Sequence, residues 1–137
     1  MTHRIAAIDY GLKRIGIALS DASGKLAFPF TKVEGGRKAV SNVVKALEAK
    51  KSEIVKIIVG HPLLMNGKEG DMALASRKFA EELEKIIGLP VLLWDERLSS
   101  AQADKNLQEL SLNRKERSAK IDTAAATLLL QSYLDSH

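Results

Sequence analysis

Arg4-Ile5-Ala6-Ala7-Ile8-Asp9-Tyr10-Gly11-Leu12-Lys13-Arg14-Ile15-Gly16-Ile17-Ala18-Leu19-Ser20 decides the fold class. Two apolar runs flank a short polar connection. The first, over residues 4–10, reads as a buried strand with a carboxylate, Asp9, at its end; the second, over 14–20, reads as the next strand. A link as tight as Gly11-Leu12-Lys13 makes the pair antiparallel, because parallel neighbours need a crossover of a dozen or more residues. Asp21-Ala22-Ser23-Gly24 is a turn by composition. Residues 25–31 then read as a third strand that closes a meander.

The period changes after Gly35-Gly36. Val40, Val43, Val44 and Leu47 recur at helical spacing, with Lys45, Glu48, Lys50 and Lys51 off that stripe. Residues 54–60 are β-branched and apolar, the composition of a central strand. A loop with Pro62 and the turn pair Asn66-Gly67 follows over residues 61–70. Asp71 can cap a helix whose inner stripe is Met72, Ala75, Phe79, Leu83 and Ile86, ended by Gly88 and Pro90. Val91-Leu92-Leu93-Trp94 is a further strand with Asp95-Glu96-Arg97 at its carboxyl end. Ser99 and Gln102 have capping-box spacing for a helix carrying Ala103, Leu107 and Leu110. A basic segment, residues 113–120, leads into a last helix over about 121–135, with Leu128 and Leu130 off its sheet-facing stripe. A meander followed by αβ units implies an α/β domain: a mixed sheet with helices on its faces.

The chain has 137 residues, the size of one domain, and no repeat or linker divides it, so residues 1–137 are expected to form a single unit. Cysteine is absent, which excludes disulfides and zinc–thiolate sites. The start of the chain lacks the apolar core of a signal peptide, and no apolar run reaches the ~18 residues of a membrane span. A cytoplasmic protein without membrane contact is expected. Lys and Arg number 21 against 17 Asp and Glu, a net charge of +4, which favours polyanions such as nucleic acid.

Three acids stand out. Asp9 ends an interior strand, where a carboxylate is costly unless it is paired, hydrogen-bonded or metal-bound; alternatively it only starts the Tyr10-Gly11 turn. Glu96 lies beyond a strand's carboxyl end, where open α/β sheets bind ligands, or else it solvates a loop beside Arg97. Asp122 is an N-cap, or it shares the docking face of Ala126, Leu129 and Tyr133. Should the three meet at one sheet edge, a divalent cation relieves their repulsion, and oxygen-only ligation suits Mg²⁺ or Mn²⁺. Basic residues flank each acid: Lys13 and Arg14, Arg97, and Arg114, Lys115, Arg117 and Lys120. Such cations can hold a phosphodiester backbone.

Four stretches carry a resemblance: DYGLKRIGIALSD (9–21), VGHPLLMNG (59–67), WDERLSS (94–100) and KIDTAAATLLLQSYL (120–134). In this order they resemble the motifs of the YqgF family, small RNase H-like relatives of the RuvC Holliday-junction resolvases. The resemblance spans essentially the whole chain. It implies an RNase H-like fold with a five-stranded mixed sheet. It also implies a nuclease assigned to maturation of the 5′ end of pre-16S ribosomal RNA, with resolution of branched DNA as an alternative. The family's carboxylates carry over onto Asp9, Glu96 and Asp122. Leu12 departs from the family pattern, standing where Thr or Ser is common. His61 departs too, standing where an apolar residue usually follows the glycine; it reads as a loop histidine more readily than as a ligand. Asp95 is a candidate helper for Glu96, although alternation along a strand lets only one of the two face a metal.

The expected mechanism is metal-assisted phosphodiester hydrolysis on pre-16S rRNA or structured DNA, in contact with ribosome-assembly particles, by a monomer or homodimer. Two rivals remain. The segment 9–21 also resembles the first phosphate loop of actin-like ATPases, but those close two such domains around ATP. A non-catalytic RNA-binding or ribosome-assembly role is the other. Aromatics are 4% of the chain, so recognition of single strands by stacking gains no support.

Overall fold

The computed structural model describes residues 3–98 and 114–137, and the side chains of its last helix from Ala124 onward. Strands β1 (Arg4–Asp9), β2 (Arg14–Ser20) and β3 (Ala27–Glu34) come first, then helix α1 (Ala39–Leu47), β4 (Ile54–His61), α2 (Asp71–Ile87), β5 (Val91–Asp95) and α3 (Arg114–Asp135). The sheet has the order β3-β2-β1-β4-β5. β1–β2 and β2–β3 are antiparallel, whereas β1–β4 and β4–β5 are parallel. This is the expected five-stranded mixed sheet: tight turns build the meander, and α1 and α2 supply the crossovers that parallel pairing requires.

Alternation along the strands divides the interior into two cores. Ala6 and Ile8 of β1, Ile15 and Ile17 of β2, and Ile57 and Val59 of β4 face α1 and α2, where Val43, Leu47, Phe79 and Leu83 meet them. Ala7, Ala18 and Ile58, one residue out of phase, face α3 and its Ala126, Leu129, Leu130 and Tyr133. The second core is small and rich in alanine, so α3 lies close to the sheet. Its far end is pinned at the foot of the sheet. Gln131 accepts from Ala27 N at 2.9 Å and donates to Lys25 O at 3.1 Å, while Lys56 Nζ donates to the Tyr133 hydroxyl at 2.8 Å.

Several local expectations shift. β3 occupies Ala27–Glu34, later than residues 25–31, with a register irregularity between Ile17 and Ala18 of its partner. In α2 the buried stripe is Ala73, Ser76, Phe79, Ala80, Leu83 and Ile87; Met72 and Ile86 are 37% and 63% exposed. The true stripe includes a serine, which an apolar count passes over. Gly70, not Asp71, is the N-cap of α2, and no side chain caps it, while Gly88 closes the helix at φ 74° as expected. The last helix begins at Arg114, so the basic segment 114–120 is helical rather than a lead-in, and Leu130 is buried against the sheet. The helix expected after Ser99 lies outside the described residues.

Candidate active site at the carboxyl edge of the sheet

β1, β4 and β5 run in parallel and end at the same edge. Asp9 is the last residue of β1 and is 7% exposed. It falls in phase with Ala7, which places it on the α3 face. Its neighbour across β2 is Gly16. On the other side Ile8 pairs with Val59, so one step further brings Gly60 of β4 to the level of Asp9. The carboxylate thus stands between two strand positions that carry no side chain. Glycine inside a strand commonly marks a close approach by another group.

At Gly60 the approaching group is Glu96. A Cβ on Gly60 would collide with Glu96 Oε1 and lie 3.1 Å from its Cδ and Cγ. Glu96 opens the short 3-10 turn Glu96–Leu98 that follows β5, and its side chain folds back over the bare backbone of β4. Gly60 is in phase with Ile58, so this side chain also lies on the α3 face. Asp9 and Glu96, 87 positions apart in the chain, approach the carboxyl end of β4 from its two sides, Asp9 from β1 and Glu96 from the turn after β5. The helper glycines, Gly16 and Gly60, were not singled out from the sequence; the usable signal was their position inside β-branched strands.

Asp122 belongs to the interior of α3, eight residues past its start, so an N-cap role is ruled out. Its side chain lies outside the described residues, and its backbone height can be compared with that of Asp9. Tyr133 bonds Lys56, which neighbours Ile5 across β1–β4. From Ile5 to Asp9 is about 13 Å along the strand, and from Tyr133 back to position 122 is about 16 Å along the helix. The helix is thus long enough between Tyr133 and position 122 to span the rise from Ile5 to Asp9. Among the described residues, whose side chains do not include that of Asp122, no group of three or more His, Asp or Glu side chains lies close enough to hold a metal ion.

The opposite face of the same edge holds a different constellation. Asp95 accepts from Arg97, with Nη2 at 2.8 Å and Nε at 3.1 Å, and Arg97 Nη1 reaches the Met65 carbonyl at 3.3 Å. The Arg97 hydrogen bonds hold the Asp95 carboxyl below its ordinary range, and burial opposes them in part. Asp95 is therefore committed to Arg97 and is not a second arm of Glu96. Arg97 in turn ties the 62–70 loop to the sheet edge, a job the sequence did not suggest for it. His61 ends β4 with its Nε2 2.8 Å from Glu69 Oε2, and Arg77 Nε donates to the same oxygen at 2.9 Å. The hydrogen bonds from Arg77, then from His61, lower the Glu69 carboxyl from its ordinary value of 4.5. His61 is thus a satisfied loop anchor, in line with the sequence reading. Lys13 and Arg14 are exposed at the β1–β2 turn, beside Asp9 in the chain. Arg114, Lys115, Arg117 and Lys120 lie on the first turns of α3, with their side chains outside the described residues.

A mixed sheet of this strand order, with acids at the carboxyl edge under a last helix, defines the RNase H-like class. Solved structures agree on the fold. RuvC of T. thermophilus in complex with a Holliday junction substrate superposes with a TM-score of 0.57 at 16% identity, over 98% of this chain and 96% of that one. The Fowlpox virus resolvase bound to Holliday junction DNA gives 0.55 at 15% identity, over 97% of each chain. The family model described as "RuvX: Holliday junction resolvase" matches residues 3–136, and the chain belongs to this family, the RuvX/YqgF family that its motifs resemble. Curated relatives named "Putative pre-16S rRNA nuclease" include one from Protochlamydia amoebophila, 41% identical over 97% of this chain and 93% of its own. Another, from Caldanaerobacter subterraneus subsp. tengcongensis, is 42% identical over 97% and 96%.

Proposed function

We propose that this chain is a divalent-metal-dependent nuclease that hydrolyses phosphodiester bonds, with Asp9, Glu96 and Asp122 as its metal-holding acids. The observation that carries the reading is the Glu96 carboxylate folded over Gly60 beside Asp9. Two acids seated on strand backbone stripped of side chains leave room for a hard cation between them, and an all-oxygen donor set fits Mg²⁺ or Mn²⁺. The family resemblance and the reach of α3 back from Tyr133 support Asp122 as the third donor. When bound, such a cation supplies a nucleophilic water at neutral pH and charge stabilisation of the leaving oxygen. The chain's own part is positional. The end of β1 holds Asp9, the bare β4 backbone leaves space for Glu96, and Lys13, Arg14 and the basic start of α3 draw in the phosphate backbone. Arg97 serves this site indirectly, by bracing the 62–70 loop.

The relatives' name favours pre-16S rRNA as substrate, and the family description favours a Holliday junction. Both substrates belong in one experiment: labelled pre-16S rRNA fragment and labelled junction, each with and without Mg²⁺, for the parent and Asp9→Asn. Asp9→Asn is expected to fold, to bind RNA nearly as well as the parent, and to lose Mg²⁺-dependent cleavage by at least about a hundredfold. Cleavage undiminished in that variant refutes the proposal. A parent that binds RNA but cleaves neither substrate supports the non-catalytic reading instead.

A further inference from the structure

A cavity of about 230 Å³ opens on the face opposite the acids, between the β1–β2 turn, the start of α1 and the side of α2. Its walls include Tyr10, Gly36, Arg37, Lys78, Phe79 and Glu82. Tyr10 is the residue next to Asp9, and alternation sends the two side chains to opposite faces of one strand end. The cavity forms because the β3–α1 junction is drawn onto the β1–β2 turn. Gly35 N donates to Lys13 O at 2.8 Å, and a Cβ on Gly35 would stand 2.9 Å from the Leu12 carbonyl carbon.

The donors here are unspent. Arg37, Lys78 and the Tyr10 hydroxyl have no hydrogen-bond or ion-pair partner among the described residues, although the Tyr10 ring itself is braced by Phe79 at 4.7 Å. Against these stands one carboxylate, Glu82. Two cations and a phenol are groups of the kind that contact phosphate in nucleic-acid complexes. The volume is below the ~300–1,000 Å³ usual for small-molecule sites, which suits one phosphate unit better than a whole cofactor.

We propose that this cavity holds a backbone phosphate of a nucleic-acid strand, gripped by Arg37, Lys78 and Tyr10, next to the strand segment that crosses Asp9. The assignment rests on the nucleic-acid reading above, and on no step of hydrolysis. It is tested by anisotropy of a fluorescein-labelled eight-nucleotide RNA in EDTA, where nothing is cleaved. The full-length parent is compared with Arg37→Ala/Lys78→Ala, with Tyr10→Phe, and with Lys45→Ala/Lys51→Ala, a pair at and just beyond the other end of α1. The first variant is expected to lose about tenfold in affinity, with the slope of log K against log salt reduced by about 0.7, the value for one phosphate contact on a single strand. Tyr10→Phe should lose affinity in the same direction, and the control pair should stay within about twofold. Equal losses in the first variant and the control overturn the proposal. So does AMP that binds the parent but not the first variant while RNA binding is unchanged, which makes the cavity a free-nucleotide site. RNA that binds as expected but is never cleaved in Mg²⁺ sinks the nuclease reading alone; RNA that fails to bind the parent sinks both.

Discussion

Gly60→Ala places a single methyl group where the Glu96 carboxylate now lies. The new Cβ would overlap Oε1 and stand 3.1 Å from Cδ and Cγ, where ordinary contact begins at 3.4 Å. Restoring contact requires the carboxylate to move by about 1 Å, and a misplacement of that size can cost about 100-fold in rate, or about 2.7 kcal/mol of barrier. The fold should hardly notice. Gly60 is not at positive φ, the obstructing atoms are the far end of a flexible side chain, and alanine loses less backbone entropy than glycine on folding. Stability is therefore expected within about 1 kcal/mol of the parent. The assay is single-turnover cleavage of the labelled pre-16S rRNA fragment in Mg²⁺, alongside urea denaturation. A parallel titration with Mn²⁺, read by its paramagnetic signal, reports the loss of a ligand without relying on turnover. Cleavage and Mn²⁺ affinity both within threefold of the parent would refute the idea that the Glu96 carboxylate must occupy the space above Gly60.

Other outcomes follow from the packing. Ser76 is buried in α2 with no partner for its hydroxyl among the described residues, so Ser76→Ala should raise stability by about 1 kcal/mol, through removal of an unsatisfied group and better helix propensity; urea denaturation reads it, and a loss of stability contradicts it. Leu129→Ala opens the second core, where Leu129 is buried, and should cost about 2–5 kcal/mol in the same measurement. Glu69 titrates below its ordinary value of 4.5 because Arg77 and His61 favour its charged form. A depressed folded-state pKa adds stability above the ordinary value, and that addition is lost as pH falls through the depressed one. The denaturation midpoints of the parent and Glu69→Gln should therefore differ at neutral pH and draw together as pH falls below the ordinary carboxylate value. A gap that does not narrow on acidification would contradict the assignment.

Much of the architecture was readable from local signals. The hairpin over residues 4–20 is a case where a tight connection leaves one pairing, and the β-branched run at 54–60 could only be an interior strand. Apolar spacing alone points to the wrong stripe in α2, because Ser76 and Ala73 bury without being strongly apolar, while Met72 and Ile86 are apolar without burying. The early start of α3 escaped notice because its first turns are basic and carry no apolar period. At the site, each acid alone had an ordinary explanation. What unites Asp9 and Glu96 is the absence of side chains at Gly16 and Gly60, and an absence on one strand gains meaning only when the neighbouring strand is known. The split between Glu96 and Asp95 is likewise tertiary: alternation said that one would turn away, and the bond to Arg97 says which.

The close seat of α3 on Ala7 and Ala18 has a consequence for how such a protein can change over time. Protein stability is often improved by filling space with larger aliphatic groups, but here any growth at positions 7, 18 or 126 would wedge the helix off the sheet. The same displacement would carry position 122 away from the end of β1. On the proposed reading, drift at these alanines should weaken cleavage before it unfolds the chain, and improvements in robustness must come from the other face, around α1 and α2.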